Sequence, residues 1–196
     1  MNNPFSLEGK NAWITGACYG IGFAIAKAFA GAGVKEIIFN ARSEEAIAKA
    51  IDDYHAEGIM TVHGYVCDVT DEDAVQALVK KIEAEVGSVN ILVNNAGIIK
   101  RIPMCEMSAA DFRKVIDVDL NAPFIVSKAV IPSMIENGGG KIINRNPEYH
   151  FEDLAYRYAN KIMQPLLVTL EPTDAVAKLI THSGQEFNLV LEGAVI

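Results

Sequence analysis

The stretch that decides the fold is AWITGACYGIGFAIAKAFAGAG, residues 12–33. An apolar strand pattern, Ala12–Thr15, runs into a turn that contains three glycines, and an apolar helical pattern follows. Such a turn lets the backbone approach a ligand closely and presents free N–H groups at the positive end of a helix dipole. The stretch predicts a pyrophosphate-binding loop in which Gly16 serves the tight turn, Gly20 the close approach and Gly22 the packing of helix on sheet. Because glycines also mark ordinary turns, the order of strand, turn and helix is what favours binding.

The chain continues with the same alternation of strand and helix patterns. Short runs rich in β-branched residues predict buried parallel strands, which after the first are Ile37–Asn40, Val62–Cys67, Ile91–Asn94 and Lys141–Asn144. Ser43 and Ser108 are predicted helix N-caps, and Thr70 is a third, with Asp73 in a capping box. Pro123 marks a break or a second helix start. The pattern predicts an α/β fold with a doubly wound, Rossmann-like, mostly parallel sheet and helices on both faces.

Composition excludes several classes of function. The 196 residues are 51% hydrophobic and 21% charged, and the net charge of −8 includes no basic run, which argues against nucleic acid and anionic membrane as partners. The four histidines and three cysteines show no metal-ligand spacing and no CxxC pattern, so we expect no metal site and free thiols. The N-terminus lacks a signal-peptide pattern, and a cytoplasmic location is predicted.

Six sequence motifs, taken in order, resemble those of a known family. They are SLEGK at 6–10, TGACYGIG at 15–22, HGYVCDVTDED at 63–73, NNAGIIKR at 94–101, DLNAPFIVSKAVIPSMI at 119–135 and KIIN at 141–144. The chain resembles the short-chain dehydrogenase/reductase family over about residues 5–144, and within it the gluconate 5-dehydrogenases. On this basis residues 1–196 are predicted to form a single dinucleotide-binding domain, with a family-like cofactor half at 1–144 and a divergent, shortened part at 145–196.

The resemblance implies a cofactor site. The residues that would line the pyrophosphate and adjoining ribose are Gly16, Ala17, Cys18, Tyr19, Gly20, Ile21 and Gly22. Asp68 would hydrogen-bond the adenine amino group with Val69 beside the ring, although Asp68 also suits a turn into Thr70. Asn95, Ala96 and Gly97 would form the wall by the nicotinamide ribose, where strand-end hydrogen bonding is the alternative for the asparagine.

The resemblance also predicts NADP(H) in preference to NAD(H). Ala41 stands where NAD-preferring relatives place an aspartate for the ribose diol, and Arg42 follows it. A guanidinium can hold a 2′-phosphate through two hydrogen bonds. The alternative for Arg42 is a surface charge at a helix start.

The family's catalytic residues are not found in their expected pattern. The family uses a serine after the fifth strand and a Tyr-x-x-x-Lys pair on one helix face, and this sequence has no serine between Ser133 and Ser183. Tyr158 stands three residues before Lys161, which makes this pair the conceivable surrogate, with exposed helix surface as the alternative. Asp119 occupies the place of the family's relay asparagine, and it could hold a water chain or be a solvated acid.

Residues 145–196 give a weaker pattern. They predict helices at Glu152–Gln164 and Asp174–Ile180, and strands at Leu166–Leu170 and Phe187–Leu191. The family's substrate-pocket segments are not recognisable there.

Three readings of function stay open. One is an oxidoreductase of the gluconate 5-dehydrogenase type with impaired catalysis, which interconverts hydroxyl and keto groups on a sugar acid such as gluconate or 5-ketogluconate. In it Arg101 would meet the carboxylate, and the family suggests a homo-oligomer. The second reading is a catalytically silent dinucleotide-binding or subunit-associating protein. The third is a deletion or frameshift product of the enzyme.

Overall fold

The computed structural model describes residues 6–144 and the pairs 152–153 and 166–167. The chain divides into two compact units, Met1–Glu148 and Tyr149–Ile196. Among the described residues, those that form the candidate site lie in the first unit.

The first unit is built on a sheet of five parallel strands. They are β1 Asn11–Thr15, β2 Glu36–Ala41, β3 Val62–Val66, β4 Ile91–Asn94 and β5 Lys141–Asn144. The order across the sheet is β3-β2-β1-β4-β5, and every pairing is parallel. The chain winds outward from β1 to β3 and then crosses back to β4 on the other side of β1. The strand order therefore reverses between β1 and β4, which is where ligands bind in open sheets of this kind.

Helices cover both faces of this sheet. They are α1 Gly20–Gly31, α2 Glu44–Ala56, α3 Glu72–Glu85, α4 Ala109–Ile116 and α5 Ala122–Glu136. Successive residues of β1 point to opposite faces, so Ile14 joins a core with Tyr54 of α2 while Trp13 joins a second core with Ile82 of α3 and Val126 of α5. The two buried cores confirm the predicted doubly wound fold.

Of the three predicted N-cap residues, two are confirmed and one is wrong. Ser43 accepts a hydrogen bond from the backbone N–H of Ala46 at 3.3 Å, and Ser108 caps α4 in the same way. Helix α3 is instead capped by Asp71. Thr70 lies one residue before this cap, in a turn where its hydroxyl donates to Asp68 Oδ1 at 2.7 Å, and the oxygen that accepts from the helix N–H of Ala74 belongs to Asp71.

The helix pair α4–α5 is joined by a π-helical turn, Asp117–Asn121. The backbone N–H of Ala122 donates to the carbonyl of Asp117, five residues back. Pro123 has no N–H to donate to the carbonyl four residues before it, which favours this wider turn. The predicted second helix start at Pro123 is confirmed. By length and composition alone the combined span Ala109–Glu136 could cross a membrane, with a mean hydropathy of 1.2.

In the second unit, Glu152–Asp153 pairs antiparallel with Leu166–Leu167. The predicted helix at Glu152–Gln164 is therefore wrong at its first two residues, because their backbone pairs with a strand instead of bonding within a helix turn. The predicted strand at Leu166–Leu170 is confirmed for its first two residues. The other predicted elements after Asn144, and also Tyr158 and Lys161, lie outside the described residues.

Candidate dinucleotide-binding site

The loop between β1 and α1 has the backbone shape that its glycines permit. Gly16 and Gly20 adopt φ of 65° and 63°, in the left-handed region that residues with a Cβ rarely enter. Within the loop, Ala17 is buried, whereas the side chain of Tyr19 is 82% exposed and that of Ile21 is also exposed. The loop thus presents its upper surface to solvent at the carboxyl end of the sheet.

Gly22 lies at the closest approach between α1 and the end of β4. A Cβ atom at this position would lie 2.5 Å from Nδ2 of Asn95 and 2.8 Å from the Cα of Ala17. The second distance involves backbone, which cannot move aside cheaply. The start of α1 can therefore sit this deep in the sheet only with glycine at position 22.

The N-terminus of α1 differs in its electrostatics from those of α2, α3 and α4. Each of those three helices has a side-chain cap and an acidic residue in its first turn. In α1 the N-cap residue Tyr19 makes no side-chain hydrogen bond, and the first turn contains no acid. The first N–H groups of α1 and the positive end of its dipole are therefore left to a ligand, and they favour an anion.

Buried hydrogen bonds hold the base of the loop. Oγ1 of Thr15 accepts from the backbone N–H of Asn95 at 3.0 Å and from that of Ala96 at 2.9 Å. Nδ2 of Asn95 donates to the Thr15 carbonyl at 2.8 Å and to the Gly16 carbonyl at 3.4 Å. These bonds join the ends of β1 and β4 at the point where the strand order reverses. Asn95 is 8% exposed, so in this structure its side chain braces the loop.

Sequence reasoning missed one residue of the site, Tyr54 on α2. Its hydroxyl donates to the carbonyl of Ala17 at 2.7 Å. The contact joins residues 37 positions apart in the sequence. The one sequence signal for it is that Tyr54 occupies an apolar position of the predicted helix, and this does not identify the partner of its hydroxyl.

The loop that follows β3 holds the residues predicted to contact adenine. Oδ1 of Asp68 accepts from the backbone N–H of Thr70 at 3.0 Å and from its hydroxyl at 2.7 Å. The backbone hydrogen bond is the main cause that lowers the pKa of Asp68, and the positive charge of Arg42 contributes to the same shift. Val69 is buried next to it. The structure therefore brings Arg42, Asp68 and Val69 together at the ends of β2 and β3.

Asp119 contacts the loop that follows β4. Its Oδ1 accepts from the backbone N–H of Ile98 at 2.9 Å, and a Cβ on Gly97 would lie 3.3 Å from the same oxygen. A carboxylate can make this bond as an asparagine oxygen would, but it offers no N–H in return. Asn94 donates to Ser127 on α5 at 3.0 Å and to Asn144 at the end of β5 at 2.8 Å.

Lys100 and Arg101 follow this loop, and they differ in their contacts. Lys100 forms an ion pair with Asp111, whose other oxygen accepts from the hydroxyl of Ser108 at 2.7 Å. Arg101 is exposed, and no ion pair is found for it among the described residues. Of the two, Arg101 is therefore the cation better placed to meet a ligand.

A second concave surface begins beside the loop that follows β3, because its lining includes Glu44 and Val66. A groove of about 560 Å³ runs along the edge strand β3 between α2 and α3, with Ile47, Tyr65 and Leu78 in its lining. It contains none of the residues that the sequence predicted for the cofactor.

Comparison with known proteins gives a consistent result for residues up to the end of β5. The family model described as "short chain dehydrogenase" matches residues 10–148. A 2-dehydro-3-deoxy-D-gluconate 5-dehydrogenase of Formosa agariphila is 51% identical over 140 residues, which cover 71% of this chain and 53% of the relative. A gluconate 5-dehydrogenase of Gluconobacter oxydans is 42% identical over 146 residues, which cover 74% of this chain and 56% of the relative.

Solved structures agree with these relatives. The crystal structure of 2-keto-3-deoxy-D-gluconate dehydrogenase from Streptococcus agalactiae matches with a TM-score of 0.65 and 66% identity, over 71% of this chain and 52% of that one. A gluconate 5-dehydrogenase from Burkholderia cenocepacia, in complex with NADP and tartrate, matches with a TM-score of 0.66 and 40% identity, over 71% of this chain and 54% of that one. The chain thus spans about half the length of the curated relatives it matches.

Proposed function

Because the chain belongs to the short chain dehydrogenase family, we propose that its first unit binds NADP(H) and that the protein is a sugar-acid oxidoreductase of the gluconate 5-dehydrogenase type whose turnover is impaired. The observation that carries the proposal is the loop at residues 16–22, which combines left-handed glycines with an uncapped helix N-terminus. An anion fits this arrangement because N–H groups and the helix dipole favour negative charge.

The residues fit a dinucleotide along the carboxyl edge of the sheet. The pyrophosphate would lie on the loop at residues 16–22 and the adenine between Arg42 and Asp68. The nicotinamide ribose would lie by Asn95, Ala96 and Gly97, where Asn95 acts mainly by holding the backbone. When bound, the cofactor supplies or accepts the hydride, and the protein's own part is to position it and to keep water away.

A preference for NADPH over NADH rests on Arg42. Arg42 is exposed directly after β2, and Ala41 at the strand's end offers no carboxylate to a ribose diol. Glu44 and Glu45 in the first turn of α2 oppose a 2′-phosphate, so the guanidinium must outweigh their charge. Arg42→Ala should weaken NADPH binding about tenfold and leave NADH binding nearly unchanged, as a calorimetric titration would measure.

Arg113→Ala is the control for this titration, because Arg113 is an exposed arginine on α4. NADH binding that equals or exceeds NADPH binding in the unmodified chain would contradict the preference.

The substrate class proposed is a small anionic polyol. Two relatives are named for 2-dehydro-3-deoxy-D-gluconate and gluconate, and both compounds carry one carboxylate. Arg101 follows the loop that would border the nicotinamide, in a chain whose net charge is −8. Arg101→Ala should weaken gluconate binding to the NADP-loaded protein. Unchanged affinity in that variant would remove Arg101 from the site.

Impaired turnover is proposed because the sequence offers no Tyr-x-x-x-Lys pair to donate a proton to the substrate oxygen. Loss of a positioned acid–base group costs about 10²–10⁴ in rate. The tests are NADPH oxidation with 5-ketogluconate, and NADP⁺ reduction with 2-dehydro-3-deoxy-D-gluconate, whose C5 carbinol carbon would lose the hydride. Turnover at background, with NADPH binding intact, is expected. Robust turnover that Tyr158→Phe abolishes would show that Tyr158, with Lys161, is the acid–base group.

A second candidate is a catalytically silent protein that binds the dinucleotide or associates with subunits. The same missing Tyr-x-x-x-Lys pair favours it, and binding without any turnover would identify it. The third reading, a deletion or frameshift product, would instead give a chain that fails to fold on expression.

A homo-oligomer is supported by an apolar stripe on α4 and α5. The stripe consists of the exposed residues Phe112, Leu120, Phe124, Ile131 and Ile135. The buried residues of α5 that pack on the sheet are Ala122, Val126, Val130 and Met134, so within the described part of the chain the stripe is a separate, exposed apolar face. The same stripe of a second copy, run antiparallel about a two-fold axis, would be self-complementary.

Sedimentation of Phe124→Glu against the unmodified chain tests this interface, and a shift to monomer is expected. If the unmodified chain is already a monomer, or if it binds neutral lipid vesicles through this face, the proposed interface is wrong.

A further inference from the structure

We propose that Tyr54 is a positioning residue for the dinucleotide loop, and that its hydroxyl fixes the orientation of the peptide between Ala17 and Cys18. The inference rests on the proposed dinucleotide binding and adds to it a residue that lies outside the loop, on helix α2.

Tyr54 is itself held rigidly. The side chain is fully buried, and its ring stacks on Phe23 of α1 with centroids 4.3 Å apart. It also packs at 50° against Phe39 of β2, with centroids 5.4 Å apart. The ring is therefore fixed by its own helix α2 and by its contacts with α1 and β2, and its hydroxyl has a defined position under the dinucleotide loop.

The hydroxyl reaches a backbone carbonyl that is otherwise difficult to satisfy. Ala17 is fully buried, and Tyr54 is the hydrogen-bond donor that the described residues supply to its carbonyl, at 2.7 Å. A buried carbonyl without a partner is costly, so the bond favours one orientation of this peptide. Burial raises the pKa of Tyr54, and the hydroxyl therefore keeps the proton that it donates.

The orientation matters because a trans peptide is planar. The N–H of Cys18 belongs to the same plane as the Ala17 carbonyl and points the opposite way, and the described chain contains no cis peptide. When Tyr54 draws the carbonyl inward, the N–H of Cys18 is turned outward, toward the exposed side of the loop. That N–H joins those at the start of α1 as a donor for a phosphate oxygen.

A purely structural role makes a different prediction. If Tyr54 only filled the core, Tyr54→Phe would keep the ring contacts with Phe23 and Phe39 and would leave dinucleotide affinity unchanged. If the hydroxyl positions the loop, the same variant should lose affinity although the ring stays in place.

Tyr65→Phe is the matched control. Tyr65 is 8% exposed, and its hydroxyl donates to Glu85 at 2.9 Å on the far side of the sheet from the loop. Both variants remove one hydroxyl and one hydrogen bond from a largely buried tyrosine. Only Tyr54→Phe frees the Ala17 carbonyl.

The experiment measures NADPH affinity and the urea midpoint of unfolding for the full chain and for both variants. Tyr54→Phe should weaken NADPH binding about five- to tenfold, whereas Tyr65→Phe should change it less than about twofold, and the midpoints serve to show that both variants are folded during the titration. Equal affinity of Tyr54→Phe and the unmodified chain would overturn the inference, and so would an equal loss in both variants.

Amide hydrogen exchange over residues 15–23, without any nucleotide, separates this inference from the proposed function. Exchange in this segment should be several-fold faster in Tyr54→Phe than in the unmodified chain or in Tyr65→Phe. If the unmodified chain fails to bind NADPH, the proposed function fails. In that case faster exchange in Tyr54→Phe alone would still support the positioning role, and unchanged exchange would reject it.

Discussion

The two loops at the carboxyl edge of the sheet that would hold the ends of an adenine nucleotide are built in different ways. The loop after β1 is held from outside: Thr15, Asn95 and Tyr54 bond it to β4 and α2 through contacts 37 to 81 residues apart in sequence. The loop after β3 is bonded from outside at its first residue, where Cys67 contacts Asn40 and Ala41 of β2. Its turn is local, because among the described residues the side chain of Asp68 accepts only from Thr70, two residues on.

The comparison indicates which of the two loops the fold holds rigid. A phosphate site made of backbone N–H groups works only if the peptides already point the right way, and long-range buried bonds achieve this. An adenine contact made by one carboxylate needs only a local turn. We therefore expect changes at the first loop to cost both stability and affinity, and changes at the second loop to cost little.

The largest effect is expected from Thr15→Val, with Thr70→Val as its partner at the other loop. Valine keeps the shape of Thr15 but leaves the buried N–H groups of Asn95 and Ala96 without an acceptor, at about 2–4 kcal/mol. Thr70→Val removes an exposed hydroxyl and should cost less than about 1 kcal/mol. Urea unfolding of both variants measures the difference. Similar losses of unfolding free energy in the two variants would contradict the proposed difference between the loops.

Gly22→Ala should have the next largest effect. The added methyl group would meet the Ala17 backbone at 2.8 Å and displace the loop, at a cost of about 1–3 kcal/mol and a marked loss of NADPH affinity. Gly31→Ala is the control in the same helix, where a Cβ meets nothing within 4 Å, and it should be neutral or slightly stabilising. Thermal unfolding and NADPH titration of the pair test this. Normal affinity in Gly22→Ala would show that the close packing is not required.

Alkaline pH should destabilise the first unit by a smaller amount. Burial raises the pKa of Cys18, Tyr54 and Tyr65, and it raises that of Cys67 to about 11. The folded chain therefore keeps protons that the unfolded chain releases, so stability is full below the ordinary pKa values and falls as pH rises above about 9. Cys67 alone should contribute about 1 kcal/mol to the fall, less than a fully desolvated thiol would.

Urea midpoints at pH 7, 9 and 10.5 measure this fall, and Cys67→Ala should flatten its slope. A stability that is constant across this range would mean that these groups ionise freely in the folded chain.

The smallest effect is expected from Asp68→Asn. The amide oxygen can still accept from Thr70, so the turn persists, and the unfolding free energy at neutral pH should change by less than about 0.5 kcal/mol. Because the pKa of Asp68 is lowered in the fold, its contribution exists above the ordinary carboxyl pKa and is lost as pH falls through the lowered value. The variant should therefore remove a small acid-side slope. A large loss of stability at pH 7 would contradict the view of this loop as a local turn.

Much of the first unit could be predicted from sequence because its signals are local. The five strands lie within one residue of their predicted ends, and Ser43 and Ser108 cap their helices as their positions indicate. The predicted cap at Thr70 was wrong by one residue, because the adjacent Asp71 is an equally good N-cap type and its side chain is the one that accepts from the N–H of Ala74.

The remaining features depend on contacts that sequence does not display. The bond from Tyr54 to Ala17 joins two elements separated by β2, and Pro123 alone does not distinguish a π-helical turn from a break in the helix. The predicted helix at Glu152 was wrong at its start because an apolar pattern alone does not show strand pairing.

The most direct test of the central claim is an NADPH titration of the ¹⁵N-labelled chain followed by amide chemical shifts. Saturable shifts should be largest at residues 16–22, with smaller ones at Asp68, Val69 and residues 95–97. The amides in the part of the groove far from these loops, at Ile51, Ala77 and Lys81, should not move. No saturable shift, or shifts concentrated in that groove, would contradict the account.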